Sequence, residues 1–570
     1  MNPFIAEAKS LADMLRRSCV KHAGRTALVY PENKDFHTVT YKELWQETLK
    51  YAICVNALGV QRGDRLCIIG ETCKEWALVD WACQCLGVVT VPIYPTLPED
   101  QAQYIVADSG AKVVVCSDEK QSAKVRGMPG VRALTWAGLL TEKSGLTEAQ
   151  LNARIDEIGK HDNATFIYTS GTTGSPKGVI LTHDNFISLS ASIQSGFPVD
   201  ENDRFFIFLP LAHVFARYAG HALPVAIGGS TVYAGSIASI GADLLKTSPT
   251  IVLCVPRFLE SMRARVLDGV EKSPTLRKKL FYWALDQGIK KYRKQPAPFH
   301  GLLDKIVGKK LRDKIGGSVR FFVSGGAALP PHVNEFYNAF HLTVLQGYGL
   351  TETTAASCIN RPWDNRPHTV GPPLDVVEIK IAGDGEILQR GSSVMKGYYN
   401  LPEDTAAAIE SDGWFHTGDI GEFDDGHLKI TDRKKDLLVL GNGKNVAPLP
   451  IENKLKESEF INEAVLFGDG MEYCCALIVP EFDRVKTWLK AKGVEESDLA
   501  AIAARDDVRE LIKGEVSNTN KTLADYEKAK KHTILGVVFS VETGELTPSL
   551  KVKRKVVKEK FAKELDSMKR

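Results

Sequence analysis

Tyr168-Thr-Ser-Gly-Thr-Thr-Gly-Ser-Pro-Lys-Gly-Val179 joins two apolar runs, 164–168 and 178–181. The runs read as short buried strands, and the stretch between them as a loop closed by Pro176 and Lys177. Gly171, Gly174 and Gly178 allow positive φ and a close approach of backbone to ligand. Ser170, Thr172 and Thr173 supply hydroxyls, and successive backbone N–H groups there are a candidate anion-binding nest. Lys177 adds a mobile positive charge suited to a β- or γ-phosphate. This composition suits a polyphosphate, with ATP the first candidate. The stretch is not a Walker A loop, because Gly-Ser-Pro-Lys-Gly misplaces both the glycine and the hydroxyl of that motif. A flexible surface loop is the alternative that composition alone favours.

Upstream, strand and helix signals alternate. Asp64–Gly70, Val88–Tyr94 and Ala111–Cys116 read as strands, with helices over Trp76–Leu86 and Pro98–Asp108. That order predicts a parallel, doubly wound sheet with helices on both faces, an α/β fold. A helix is also expected from Tyr41, with Thr40 as its N-cap.

Downstream, Phe205-Phe-Ile-Phe-Leu-Pro-Leu-Ala-His-Val-Phe215 is apolar and aromatic around His213, which by itself reads as a satisfied core histidine. Residues 265–315 read as a basic helical region. A solvated surface is its simplest reading, and a membrane contact by Lys290-Lys-Tyr-Arg-Lys294 is the alternative. Two strands run into polar turns, Phe321-Phe-Val-Ser-Gly-Gly-Ala327 and Leu342-Thr-Val-Leu-Gln-Gly-Tyr-Gly-Leu-Thr-Glu352. In an open α/β sheet such strand ends are where ligands bind. Tyr348 can present a ring face to a base, and Thr351 and Glu352 offer the oxygen ligands that Mg²⁺ prefers. From about residue 370 short strands separated by Gly and Asp turns predict a β-rich subdomain. It carries Asp419, a candidate acceptor for ribose hydroxyls, and leads to Asp432-Arg-Lys-Lys-Asp436, a charged junction. The rest suffices for a small α+β domain.

Size and charge bound the function. A chain of 570 residues is expected to form two or more domains. A formal charge of +2 gives no argument for a nucleic-acid partner. Eleven cysteines lack paired CxxC spacing, and Cys83-Gln-Cys85 and Cys474-Cys475 read as core thiols in a reducing cytosol. No run of about 18 apolar residues predicts a membrane span, and Glu7 and Lys9 interrupt any secretory signal. A soluble cytoplasmic protein is expected.

Five motifs in order resemble the adenylate-forming superfamily over nearly the whole chain: the loop 168–179, Ser324-Gly-Gly-Ala327, Gln346-Gly-Tyr-Gly-Leu-Thr-Glu352, Thr417-Gly-Asp419 and Asp432-Arg-Lys-Lys-Asp436. Leu209-Pro-Leu-Ala-His-Val-Phe215, Val255-Pro-Arg257 and Gly441-Asn-Gly-Lys-Asn-Val-Ala-Pro448 look like its long-chain acyl-CoA synthetase branch. The resemblance implies an AMP-binding and acyl-binding domain over 1–434 and a mobile C-terminal domain over 435–570, hinged at Lys435. It implies ATP-dependent activation of a fatty acid to an acyl-adenylate, then transfer to coenzyme A. An acyl-AMP ligase loading a carrier protein, or a CoA ligase for a medium-chain or aryl acid, are the alternatives.

Residue by residue, Ser170, Gly171, Thr172, Thr173, Gly174 and Lys177 would hold the ATP phosphates. Gly326 and Ala327 would line the adenine pocket, Tyr348 would stack on the base, and Gln346, Gly347 and Gly349 would also contact the cofactor. Thr351 would touch the α-phosphate, and Glu352 and Thr172 would hold Mg²⁺. Asp419 and Arg433 would bind the ribose, His213 would sit by the acyl carboxylate, and Gly443 and Lys444 would meet coenzyme A. The catalytic lysine usually follows Ser-Gly or Thr-Gly, whereas Thr547-Pro-Ser-Leu-Lys551 lacks that Gly. Register assigns Lys551, with Lys553 as the alternative. Asp432 stands where many members have Gly. The implied partners are fatty acid, ATP and CoA, and a long acyl substrate is compatible with peripheral contact at the inner membrane face. Oligomeric state is left open.

Overall fold

The expected winding is present in a computed structural model that describes residues 3–33, 35–169, 175–547 and 551–568. Contacts divide the chain into two units. The first holds residues 1–380, 388–416 and 425–428, and the second 381–387, 417–424 and 429–570.

In the first unit, Asn163–Thr169, Val89–Ile93, Arg65–Ile69, Val113–Cys116 and Arg132–Thr135 lie side by side in that order and run parallel. The winding therefore reverses direction at Arg65–Ile69. Lys177–Thr182 and then Gly397–Tyr398 extend this sheet antiparallel, making seven strands. An eight-stranded sheet has a parallel centre built from Thr343–Tyr348, Phe321–Ser324, Ile251–Cys254, Arg204–Ile207, Ser230–Tyr233 and Thr26–Glu32. Its edge strands, Cys358–Ile359 and Asp35–Thr40, are antiparallel. Strands such as Val113–Cys116 and Ile251–Cys254 are buried at every position, as strands covered by helices on both faces must be. The expected cap is present: Thr40 and Glu43 form a reciprocal capping box on Tyr41–Ala57.

The β-rich stretch is a four-stranded sheet of Val377–Ile381, Glu386–Gly391, Phe415–Asp424 and His427–Arg433. It carries the points at which the chain crosses between the units. In the second unit Cys474–Pro480 pairs antiparallel with Ile461–Phe467 and parallel with Ala529–Ile534. Its core includes Leu455, Val465, Leu477, Val508 and Ile512. All eleven cysteines are free, and Cys83, Cys85, Cys474 and Cys475 are buried, as read from their apolar neighbours. No helix among the described residues is long and apolar enough to cross a membrane.

A buried polar cluster fastens the helix Lys74–Leu86 to the sheet. Arg217 Nη2 donates to Asp80 Oδ1 at 2.5 Å and to Thr90 Oγ1 at 2.5 Å, while Nη1 donates to Thr165 Oγ1 at 2.5 Å. His221 Nε2 lies 3.1 Å from Asp80 Oδ2. Burial pushes the Asp80 carboxyl up, but Arg217 and His221 outweigh it and hold the group at about 2. The segment Tyr218–Ala222 between Arg217 and the next helix has π geometry. Gly220 sits there so close to the neighbouring strand that a Cβ would meet Ile207 Cδ1 at 2.4 Å.

Two stability outcomes are expected. Arg217→Met leaves Asp80 buried without its cation and should cost about 3–5 kcal/mol in denaturant melts; a change below about 1 kcal/mol would refute the assignment. Burial lowers the His183 pKa from 6.5 to about 4, so the folded protein keeps this ring neutral where the unfolded chain protonates it. The stability it contributes is complete above pH 6.5 and is lost as pH falls towards 4, about 2 kcal/mol between pH 7 and 5. His183→Asn should flatten that part of the pH profile, and an unchanged slope would sink the attribution.

Candidate functional site

The antiparallel pair that brackets the opening stretch matches Thr169 with Lys177 and Tyr168 with Gly178. Lys177 is thus the first residue of a sheet strand, at the carboxyl end of Asn163–Thr169. Ser170, Gly171, Thr172, Thr173 and Gly174 lie outside the described residues. Gly178 is needed for packing, since a Cβ there would come 3.0 Å from the Tyr168 ring. Tyr168 is fixed in turn by donating to Asp108 Oδ2 at 2.6 Å.

The next strand and the helix Pro402–Ala408 that follows it place two groups that the sequence did not single out. Gly397–Tyr398 pairs with 179–180, Tyr398 opposite Val179. Lys177 Nζ lies 5.2 Å from the Tyr398 ring centroid and makes an ion pair with Asp404. The Tyr398 hydroxyl donates to Glu352 Oε1 at 3.1 Å. Burial first, and the Glu352 charge second, push the Tyr398 pKa far up, so the phenol stays a donor. One ring therefore joins Lys177 to Glu352. Gly397-Tyr-Tyr399 followed by Pro402 was the available signal, but neither residue type marks a site without the pairing.

Glu352 is held at the end of the neighbouring sheet. Thr343–Tyr348 leads into a 3₁₀ turn over Thr351–Thr353. Gly349 passes so close to the returning chain that a Cβ would lie 2.3 Å from the Ala355 carbonyl oxygen. Thr354 and Ala355 follow at φ 55° and 77°, the strained left-handed region for residues with a Cβ. The Glu352 carbonyl accepts from Met395 N–H at 2.7 Å, tying the turn to the segment that carries Tyr398. Gln346 is buried, and its Oε1 accepts from Leu329 N–H at 2.9 Å, so it braces the Gly325-Gly326-Ala327 turn from behind. Gly326 has φ 84°. His213 caps Val214–Arg217, its Nδ1 accepting from Phe215 N–H at 3.2 Å, which requires that nitrogen unprotonated. The Phe215 ring stands against Gly325, where a Cβ would lie 3.5 Å away.

In the second unit Asp419 is buried, and Arg433 Nε lies 3.1 Å from its Oδ1. Gly418 N–H donates to Glu386 Oε1 at 2.9 Å, and its carbonyl accepts from Lys434 N–H at 2.8 Å. Lys434 contacts Asp384 and Glu386 at 2.6 and 2.8 Å, which push its ammonium up to about 12. Asp432, where many relatives were expected to carry Gly, is a clamp: its carboxylate accepts from Arg433 N–H at 2.6 Å and Leu449 N–H at 3.1 Å. Burial raises it to about 6. Gly443 and Lys444 occupy a turn between Leu438–Val439 and Asn445–Val446, with Lys444 Nζ 4.6 Å from the Tyr526 ring centroid. Thr547 N–H donates to the Lys551 carbonyl at 2.8 Å, and Lys551 N–H to Thr547 Oγ1 at 3.0 Å. Lys553 precedes the helix Arg554–Lys560 at its N-cap position, without a side-chain capping hydrogen bond.

Among the described residues no three His, Cys, Asp or Glu side chains gather for a metal. A lone carboxylate such as Glu352 fits Mg²⁺, which takes one or two protein carboxylates and fills its shell with phosphate and water oxygens. A cavity of about 390 Å³ lined by Arg62, His161, His183 and Lys396 lies at the amino ends of the strands. It is at the opposite end from Lys177, and ligands of such sheets bind at the carboxyl ends.

Two open α/β sheets, one carrying Lys177 and the other leading into Glu352, present a cation and a carboxylate at strand carboxyl ends, where ligands of such sheets bind. The chain belongs to the AMP-binding enzyme family: that family's model matches residues 15–399, and the model of the AMP-binding enzyme C-terminal domain matches 435–570. It is 36% identical over 563 residues to the long-chain-fatty-acid–CoA ligase FadD15 of Mycobacterium bovis, covering 93% of this chain and 92% of that one. It is 31% identical to the peroxisomal long chain acyl-CoA synthetase 6 of Arabidopsis thaliana, over 96% and 84% of the two chains. The O-succinylbenzoate coenzyme A synthetase of Bacillus subtilis, solved with ATP and magnesium ion, superposes with a TM-score of 0.72 at 24% identity, covering 96% and 99%. This last likeness bears on fold alone.

If the Tyr398 hydroxyl orients Glu352, Tyr398→Phe should lower ATP–pyrophosphate exchange about 10-fold or more, the scale of a hydrogen bond to a charged group. The melting temperature should hardly move. Exchange at the wild-type rate would show that the contact has no part in the reaction.

Proposed function

We propose that the protein activates a long-chain fatty acid with ATP and transfers it to coenzyme A, yielding acyl-CoA, AMP and pyrophosphate. The observation that carries this reading is the family match over both parts of the chain, with ligase relatives at up to 36% identity. The Lys177–Tyr398–Glu352 arrangement supports it from the side of chemistry.

A fatty carboxylate resists nucleophiles because it is an anion and has no good leaving group. In the first half-reaction its oxygen attacks the α-phosphorus of ATP, the bond to the β-phosphate oxygen breaks, and pyrophosphate departs. In the second, the CoA sulfur attacks the acyl carbon, and AMP leaves with the electron pair of the broken carbon–oxygen bond. Charge gathers on phosphate oxygens in the first step, so fixed cations do most of the work.

Lys177 is free to meet that charge once it exchanges Asp404 for phosphate oxygens. Thr351 and the loop Ser170–Gly174 contribute hydroxyl and N–H donors. Glu352 would hold Mg²⁺, which when bound neutralises charge on the phosphates. Tyr348, with Gly326 and Ala327, would receive the adenine, Asp419 and Arg433 the ribose hydroxyls, and His213 the acid. Lys551 would add a second cation for adenylation, while Gly443 and Lys444 would serve the CoA step. Two half-reactions that draw on different parts of the C-terminal unit require it to turn between them, and Lys435 is the proposed hinge. Eleven free cysteines fit a reducing cytoplasm.

Separate assay of the half-reactions tests this division. Lys551→Ala should cut pyrophosphate release by about 100-fold or more and leave thioester formation from supplied acyl-AMP at the wild-type rate. Lys553→Ala should spare both. Equal loss of the two half-reactions in Lys551→Ala, or the adenylation defect appearing in Lys553→Ala instead, would overturn the assignment.

A further inference from the structure

A long stretch of uneven charge lies between His213 and Gly326 and contains no residue placed at the site. Residues 272–314 carry thirteen Lys or Arg against three Asp or Glu, a surplus of ten in a chain whose formal charge is +2. The stretch forms the helix Thr275–Tyr292 and a second rod over 300–313. Both are two-faced. The long helix turns Phe281, Ala284, Gln287 and Gly288 inward, with Gly288 so close to the helix Pro331–Ala339 that a Cβ would meet the Ala339 carbonyl at 2.2 Å. The rod turns Leu303, Val307 and Leu311 into the same core.

The outward faces are not purely polar. Leu276 is 80% exposed, Trp283 44%, Phe299 50%, Leu302 60% and Ile306 38%. Leu276 and Trp283 are seven apart on one helix, and Phe299, Leu302 and Ile306 follow the i, i+3, i+7 spacing of one helical stripe. Trp283 and Phe299 join the two stripes, with ring centroids 5.2 Å apart. Eight of the thirteen cations, among them Lys279, Lys291, Lys305 and Lys310, have no acidic partner among the described residues; the other five pair with Glu271, Asp286, Asp304, Asp313 and Glu335. A contiguous apolar stripe rimmed by unpaired lysines marks an interaction surface.

We propose that this face seats the protein on a lipid bilayer carrying anionic headgroups, with Trp283, Phe299, Leu276, Leu302 and Ile306 entering the interface and the surrounding lysines meeting phosphate. The charge selects a polyanion, and the aliphatic members of the stripe select a bilayer over a nucleic acid, since Leu and Ile offer no stacking surface to bases. The placement goes beyond the reaction itself: it sets the enzyme where a long-chain acid dissolves.

Vesicle flotation of the full chain tests it, using phosphatidylcholine vesicles with and without about one-third phosphatidylglycerol. Wild-type protein should float with the anionic vesicles at least about tenfold better than with neutral ones, and lose that preference as salt rises from 50 to about 500 mM. Lys279→Glu/Lys291→Glu/Lys305→Glu/Lys310→Glu should abolish flotation. Trp283→Ser/Phe299→Ser should weaken it about tenfold with the cations intact, which a purely ionic attachment would not show. Both variants should keep the wild-type melting temperature and turnover of a short, water-soluble acid. Absence of flotation by the wild type, equal flotation with neutral vesicles, or unaltered flotation of both variants would overturn the proposal. So would tight binding of a DNA duplex with no binding to vesicles, which would assign the face to nucleic acid.

Discussion

Pairing of Gly397–Tyr398 with the strand that starts at Lys177 is the contact on which the arrangement of the first unit's site depends. It sets one aromatic ring beside the lysine of the opening stretch and points that ring's hydroxyl at Glu352, which comes from the end of the other large sheet. A cation and a carboxylate are thereby held on either side of one ring without pairing with each other. Asp404 occupies the lysine, and Tyr398 occupies the carboxylate. In the proposed reaction Lys177 would exchange Asp404 for phosphate oxygen, and Glu352 would exchange the Tyr398 hydroxyl for a magnesium ion. Such prior organisation would, in the proposed reaction, limit the reorganisation that transition-state charge demands.

Two further devices keep that register fixed. The Asp80–Arg217–His221 cluster is buried, and its hydrogen bonds reach Thr90 and Thr165 on the same sheet as the opening loop. Such a cluster is costly unless every member is paired, so it specifies one arrangement of helix on sheet. At the other sheet's end the positive φ of Thr354 and Ala355 and the absence of any Cβ at Gly349 let the chain fold back tightly enough to present Glu352. Strain concentrated at this turn is the pattern expected where function dictates backbone path.

Much of this was legible beforehand, for physical reasons that differ by element. Val113–Cys116 and Ile251–Cys254 announce buried parallel strands because both faces must be apolar. Thr40 with Glu43 announces a helix start because their reciprocal hydrogen bonds are local. The ordered motif 168–179 carried the family resemblance that the family model over residues 15–399 bears out. What stayed hidden depends on long-range register. Asp404 is 227 residues from Lys177, and Arg217 is 137 from Asp80. His221, set among apolar neighbours in the sequence, is a member of the buried cluster. The basic stretch after residue 271 was visible as charge, but only the fold decides that Trp283 and Phe299 face outward together. Interleaving of 381–387 and 417–424 with the C-terminal unit likewise has no local signal.

In the proposed reaction an acid oxygen attacks the α-phosphorus of ATP at the Lys177–Glu352 site and later leaves on AMP. Turnover of a fatty acid labelled with ¹⁸O in both carboxylate oxygens, followed by mass spectrometry of the products, tests it most directly. The account requires one labelled oxygen in each AMP released and none in pyrophosphate. Label in inorganic phosphate, or ADP as the nucleotide product, would mean that the acid is activated at the terminal phosphate and would contradict it.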